Sequence, residues 1–234
     1  MAFGRFEAPK EFVTLTPEQV FEYSAAAKQH YRADYPYHGW DHALDVMSGT
    51  EIISTKLERR GLVIAKGALV VAAAWHDSGY HEDHTVKGFS TKEEYSAHLL
   101  DEYLKNKAAS EWEKTMMHSA IVATWADHKA LRTPYELIMH RSDIANIGGP
   151  TDEFLQNSLK LLQEQALITG RTPSWEEYVN GAVKFIEFTA AEHDHEALAH
   201  YIDPSDTNVD VHDAPFSEAA RINIKALLDF DPTA

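Results

Sequence analysis

With 234 residues, 44% of them hydrophobic and 11% aromatic, the chain can bury one sizeable core, which argues against intrinsic disorder. A formal net charge of -16 argues against a nucleic-acid polymer as partner, because displacing the counterions of a phosphate backbone takes clustered Lys and Arg. The lack of any cysteine rules out disulfides, thiolate zinc sites and cysteine nucleophiles, so a metal would have to be held by carboxylates and by the 14 His.

Apolar residues recur at three- and four-residue spacing along nearly the whole chain, and alternating β-branched runs are scarce. The expected architecture is therefore all-α, in one domain over residues 1–234 with its core over about 17–229. No apolar run approaches the roughly 20 residues that span a bilayer, and the opening Met1-Ala2-Phe3-Gly4-Arg5 lacks the apolar stretch of a secretion signal. A cytoplasmic protein without a membrane partner is expected.

The first helix starts at Thr16, whose hydroxyl can cap it, with Pro17 at the first helical position and Gln19 closing a capping box; it is expected to run to about Arg32. A second helix follows Trp40 and ends near Arg60-Gly61, the Gly suiting a C-terminal cap. A third, from about Leu62, carries Leu69-Val70-Val71-Ala72-Ala73-Ala74-Trp75, apolar all round, and so reads as a buried central helix that ends at His76-Asp77-Ser78-Gly79. A polar loop spans Tyr80 to Phe89, and Ser90 with Glu93 forms a capping box for the next helix. Further helices are expected near 109–128, 134–146, 152–168, 174–199 and 216–229. Gly148-Gly149-Pro150 breaks the chain sharply, and 203–215 reads as a polar surface excursion.

The adjacent pair His76-Asp77 closes a wholly apolar helix, where two ionisable side chains are costly to bury unless something pairs with them. A divalent cation does this well, and a simple His-Asp hydrogen bond at a helix end would also serve. About 35 residues earlier, His38 and His42 stand four apart across a helix start and can converge on one side of it. One can ligate while the other donates a proton. Asp143 borders the apolar face formed by Ile138, Ile144 and Ile147, an unusual place for an acid, and completes a candidate set with His42, His76 and Asp77.

The order His42, His76-Asp77, Asp143 resembles the H…HD…D signature of the HD superfamily of metal-dependent phosphohydrolases. Tyr37-His38-Gly39-Trp40-Asp41-His42-Ala43 is similar to its YHN-x-x-HA opening, Trp75-His76-Asp77-Ser78-Gly79-Tyr80 to FHD-x-x-Y, and Lys92-Glu93-Glu94-Tyr95-Ser96-Ala97 to NE-x-x-SA. Ile121-Val122-Ala123-Thr124-Trp125-Ala126-Asp127-His128 is similar to I-x-A-T-x-x-H, and Ala219-Ala220-Arg221-Ile222-Asn223 to the AR-x-N of the final helix. The likeness runs in order from about 20 to 228. It departs from the pattern at Gly39, where an Asn is usual, and at Lys92, where relatives have Asn or, in two-metal members, a third His. Tyr80 stands where some nucleotidase members carry a catalytic Glu.

The resemblance implies an HD-domain helical bundle of about eight to ten helices that holds one divalent metal through His42, His76, Asp77 and Asp143. Mixed nitrogen and oxygen ligands suit manganese, iron, cobalt, nickel or magnesium better than structural zinc. The implied reaction is hydrolysis of a phosphate ester, with Asp77 orienting the water while it ligates, His38 protonating the leaving oxygen, and Lys92 and His128 contacting the phosphate. A small anionic phosphorylated substrate, with a nucleotide as the expected class, is compatible with an acidic protein because the metal supplies the local positive charge. Two other readings stand beside it: cyclic-nucleotide phosphodiesterase-like activity, and a di-iron oxygenase that would need two further His ligands, His128 as one and, since Lys92 blocks the usual other, His98 as its substitute. His81 and His84 read as exposed loop residues and His193, His195 and His200 as a surface cluster, and a homo-oligomer is left open.

Overall fold

The first helix, α1 (Pro17–Ala27), begins as the capping box requires: Thr16 Oγ1 accepts from the Gln19 amide at 3.3 Å and Gln19 Oε1 accepts from the Thr16 amide at 2.8 Å. This and every other element belong to a computed structural model that describes residues 14–59, 61–125, 133–193 and 216–232. After α1 the chain tightens into a 3-10 turn, Lys28–His30, so the α-helix stops short of the expected Arg32. The remaining helices are α2 (Trp40–Arg59), α3 (Lys66–Trp75), α4 (Lys92–Leu104), α5 (Glu111–Val122), α6 (Pro134–Asp143), α7 (Thr151–Thr169), α8 (Trp175–His193) and α9 (Phe216–Asp229). A second 3-10 turn, Ala145–Gly148, follows α6 where a continuous helix to 146 was expected. Among the described residues there is no strand, so the fold is all-α, and no helix is long and apolar enough to cross a membrane.

Two boundaries show what sets them. Gly61, with φ of 86°, ends α2 as expected: its backbone turns left-handed and the Leu62 amide reaches back to the Leu57 carbonyl at 3.1 Å. The cap of α4 is shifted by one residue from the expected Ser90 and Glu93. Thr91 Oγ1 accepts from the Glu94 amide at 3.1 Å and Glu94 returns the contact to the Ser90 amide at 2.9 Å, while Glu93 is buried.

The chain divides into two compact units. One comprises the described residues up to Asp34 together with His38–Asp143; the other comprises Tyr35–Tyr37 and the described residues from Ile144 onward. In the first unit α3 is central, packing against α1, α2, α4, α5 and α6. Its Leu69, Val71, Ala72, Ala73, Ala74 and Trp75 are each no more than 1% exposed, as a helix apolar on every side demands. Three consecutive alanines let neighbouring helices come close, and each fully buried Leu or Val contributes roughly 2 kcal/mol. Trp75 finds a partner for its one polar atom, Nε1 donating to the Tyr23 carbonyl at 2.9 Å.

In the second unit Ile144, Ile147, Phe154, Tyr178, Val179, Ile186, Ala220 and Leu227 form a core across the second 3-10 turn, α7, α8 and α9. Asn223 on α9 fastens the Gly-Gly-Pro break: its Nδ2 donates to the carbonyls of Ile147 and Gly149, each at 2.9 Å, and its Oδ1 accepts from Thr151 Oγ1 at 2.8 Å. Residues 126–132 and 194–215, which include His128, His195, His200 and the polar excursion, lie outside the described residues.

Candidate metal centre

All four candidate ligands lie in the first unit, each at or near a helix end: His42 in the first turn of α2, His76 and Asp77 directly after α3, and Asp143 as the last residue of α6. Burial of apolar α3 forces its C-terminal end into the interior, where its last carbonyls and the following amides need partners. Tyr31, half-buried, supplies two: its hydroxyl donates to the Ala74 carbonyl at 3.0 Å and accepts from the Asp77 amide at 3.3 Å. Beyond Asp77 the chain turns tightly, and Gly79 presses so close to α4 that a methyl group there would lie 2.6 Å from Tyr95 Cδ1. Its amide donates to Ser96 Oγ at 3.0 Å. Two turns along α2 from His42, Gly49 faces Ser142, the neighbour of Asp143, so a methyl in place of its hydrogen would already touch Ser142 Cβ at 3.5 Å. Small residues at this crossing allow α2 and α6 to bring His42 and Asp143 together.

The four side chains converge. His42 Nε2 lies 3.1 Å from Asp143 Oδ1, 3.3 Å from His76 Nε2 and 3.7 Å from Asp77 Oδ2. His76 Nε2 lies 3.1 Å from Asp77 Oδ2 and 3.3 Å from Asp143 Oδ1. One ligand atom from each residue falls within 4.8 Å of all the others, and among the described residues no other group of three or more His or acids does so. Neighbouring ligand atoms around a cation with bonds of about 2.1 Å stand about 3.0 Å apart, so little movement is needed to admit one. No family model matches the chain, and no curated protein matches it either.

The electrostatics also ask for a central positive charge. His76 is 1% exposed, and burial disfavours its charge, yet the Asp77 and Asp143 carboxylates prevail and hold its pKa well above the ordinary imidazole value. Burial likewise opposes ionisation of Asp77 and Asp143, but His76 keeps Asp77 below the usual carboxylate range, and hydrogen bonds from His42 and His76 do the same for Asp143. Without a metal, a proton on His76 offsets only part of the charge of the two acids. The Nδ1 of His76 donates to the Ala73 carbonyl at 2.7 Å, which leaves Nε2 as the atom that exchanges a proton for a cation. Two imidazole nitrogens and two carboxylate oxygens, nearly sealed from water, fit a divalent metal, and these residues can hold one.

The structure places the other expected site residues as follows. His38 lies edge-on to His42, with ring centroids 5.6 Å apart, and stacks on Tyr80 at 3.8 Å and 19°. The Lys92 ammonium sits 3.9 Å from the Tyr80 ring centroid and 3.8 Å from Glu93 Oε1. His38 and Lys92 both act on the Asp77 charge. His81 and His84 are half-buried, not exposed, and stand outside the ligand group. His98 packs against Phe89, centroids 4.9 Å apart, and does not join the ligands.

Sequence reasoning missed Tyr31, the Ala73 carbonyl, Glu93 and the place of Tyr80. Glu93, whose carboxyl burial pushes up, lies close enough for Asp77 and Asp143 to raise it further. A raised pKa in a buried acid has no local sequence signal. The Tyr31 contact to Ala74 spans 43 residues and has none either.

Proposed function

We propose that this chain is a metal-dependent phosphohydrolase of the HD type that cleaves a phosphate ester of a small molecule, a nucleotide being the expected class. The observation that carries the reading is the convergence of His42, His76, Asp77 and Asp143 on one buried point, in the order that the HD signature prescribes. A divalent cation bound there supplies Lewis-acid polarisation of a phosphoryl oxygen and makes water acidic enough to attack. Asp77 orients the attacking water. His38, beside the cluster and half-exposed, donates a proton to the leaving oxygen. Lys92 contacts a non-bridging phosphate oxygen through its ammonium, offsetting negative charge as the ester bond breaks. Enclosure of the ligands makes each of these charges act in a medium less polar than water, where it counts for more.

The test is a screen of phosphorylated metabolites with added manganese, cobalt, nickel or magnesium, comparing wild type with Asp77→Ala, alongside elemental analysis of the purified protein. Turnover in the wild type that depends on metal and vanishes in Asp77→Ala supports the reading. A protein that takes up no metal and hydrolyses no ester under any of these ions refutes it.

A further inference from the structure

We infer that Tyr80 is a positioning residue: its ring is the spacer that sets His38 and Lys92 on opposite sides of one aromatic plane at the edge of the ligand cluster. The inference rests on the proposed phosphohydrolase reading for what His38 and Lys92 do, and on geometry alone for where they are held. The His38 ring lies nearly parallel to the Tyr80 ring at 3.8 Å, and the Lys92 Nζ stands 3.9 Å from the same centroid. An imidazole stacked at van der Waals distance fills the face it covers, so an ammonium at the same distance must approach from the other face.

The Tyr80 amide donates to the Asp77 carbonyl at 3.0 Å, which ties the spacer to the backbone of a candidate ligand. The Lys92 ammonium has a second neighbour in buried Glu93, with Oε1 at 3.8 Å, and His38 has one in His42, whose ring stands T-shaped to it with centroids 5.6 Å apart. Each polar group is thus held between the Tyr80 ring and one more fixed residue. A flexible Lys and a loop His would otherwise sample many rotamers, and a misplacement of about 1 Å in a reacting group costs on the order of 100-fold in rate. The ring, not the hydroxyl, does the positioning, so phenylalanine should replace tyrosine and leucine should not.

The experiment uses the full chain loaded with manganese and two variants, Tyr80→Leu and Tyr80→Phe. Both are expected to take up manganese as the wild type does. Tyr80→Leu should weaken calorimetric binding of inorganic phosphate about tenfold, matching Lys92→Ala, while Tyr80→Phe stays within about twofold. On an ester with a poor leaving group Tyr80→Leu should lose about 100-fold in kcat, on a 4-nitrophenyl ester less than about fivefold, and in a His38→Ala background nothing further. In the metal-free protein, the ring-current shift of the His38 ring protons should persist in Tyr80→Phe and vanish in Tyr80→Leu.

Equal losses on the two esters would mark Tyr80 as merely structural and overturn the inference. So would phosphate binding indifferent to the leucine, or a phenylalanine as damaging as the leucine. If the wild type binds manganese and phosphate but turns nothing over, the hydrolytic reading fails while phosphate binding and the His38 shift still decide the role of Tyr80. If it binds neither, the ring-current measurement alone decides whether the spacer exists.

Discussion

In the unit that carries the candidate metal centre, four ionisable groups answer one another: His42, His76, Asp77 and Asp143 crowd within 4.8 Å. In the other unit, two buried polar side chains are answered mainly by the backbone. Asn223 bridges two carbonyls and Glu164, 1% exposed, accepts from the Tyr37 amide at 3.0 Å. The contrast separates two kinds of burial. A polar group satisfied by fixed backbone partners stabilises one conformation and needs nothing else. Ionisable groups satisfied mainly by each other hold charge in reserve, which is costly for folding and useful for binding a cation.

Removing one residue from each unit tells the two kinds of burial apart. Asp77→Ala should abolish metal uptake, read by elemental analysis, and lower kcat/KM by at least about 1000-fold on any ester the wild type cleaves. Asn223→Ala should cost about 3 kcal/mol in urea unfolding, because two carbonyls and a hydroxyl lose their partner together, with metal uptake per folded molecule unchanged. If Asn223→Ala removed the metal as completely as Asp77→Ala, the contrast between the units would be false. Gly79→Ala should cost about 2 kcal/mol in the same assay, since the added methyl meets Tyr95 and the Ser96 backbone of α4.

The pH dependence sharpens the first unit further. His76 is raised in the folded state, so its contribution to the metal-free protein is fully present below the ordinary imidazole pKa and is lost as pH rises through its folded value. Asp77 and Asp143 are depressed, so theirs is present above the ordinary carboxylate pKa and is lost only as pH falls through their folded values. A metal must displace the His76 proton. Its apparent affinity, measured by calorimetry, should therefore rise about tenfold per pH unit until that proton is gone, and the thermal stabilisation it produces should grow with pH. The smallest effect is at the surface: Thr16→Ala should cost about 1 kcal/mol by thermal melting and leave metal affinity unaltered.

Much of the fold was legible because helix signals are local. Thr16-Pro17-x-Gln19 marks its own helix start, Gly61 its helix end, and the apolar stretch before Trp75 its central place. The α4 cap was misplaced because Ser90 with Glu93 and Thr91 with Glu94 are two overlapping frames of equal local merit. Only the burial of Glu93 against the first unit chose between them. The α-helix after Pro17 ends before Arg32 because the polar segment beyond Ala27 tightens into a 3-10 turn, which leaves no local signal in the sequence.

The helical character of the chain, its main breaks and the four residues best suited to hold a cation are legible in the sequence, because periodicity, caps and residue chemistry are properties of short segments. The tertiary structure alone decided that those four meet, that Tyr31 closes the end of α3, and that Tyr80 stands between His38 and Lys92. Most of these contacts join residues distant in the chain. They exist only once helix packing has fixed which faces approach.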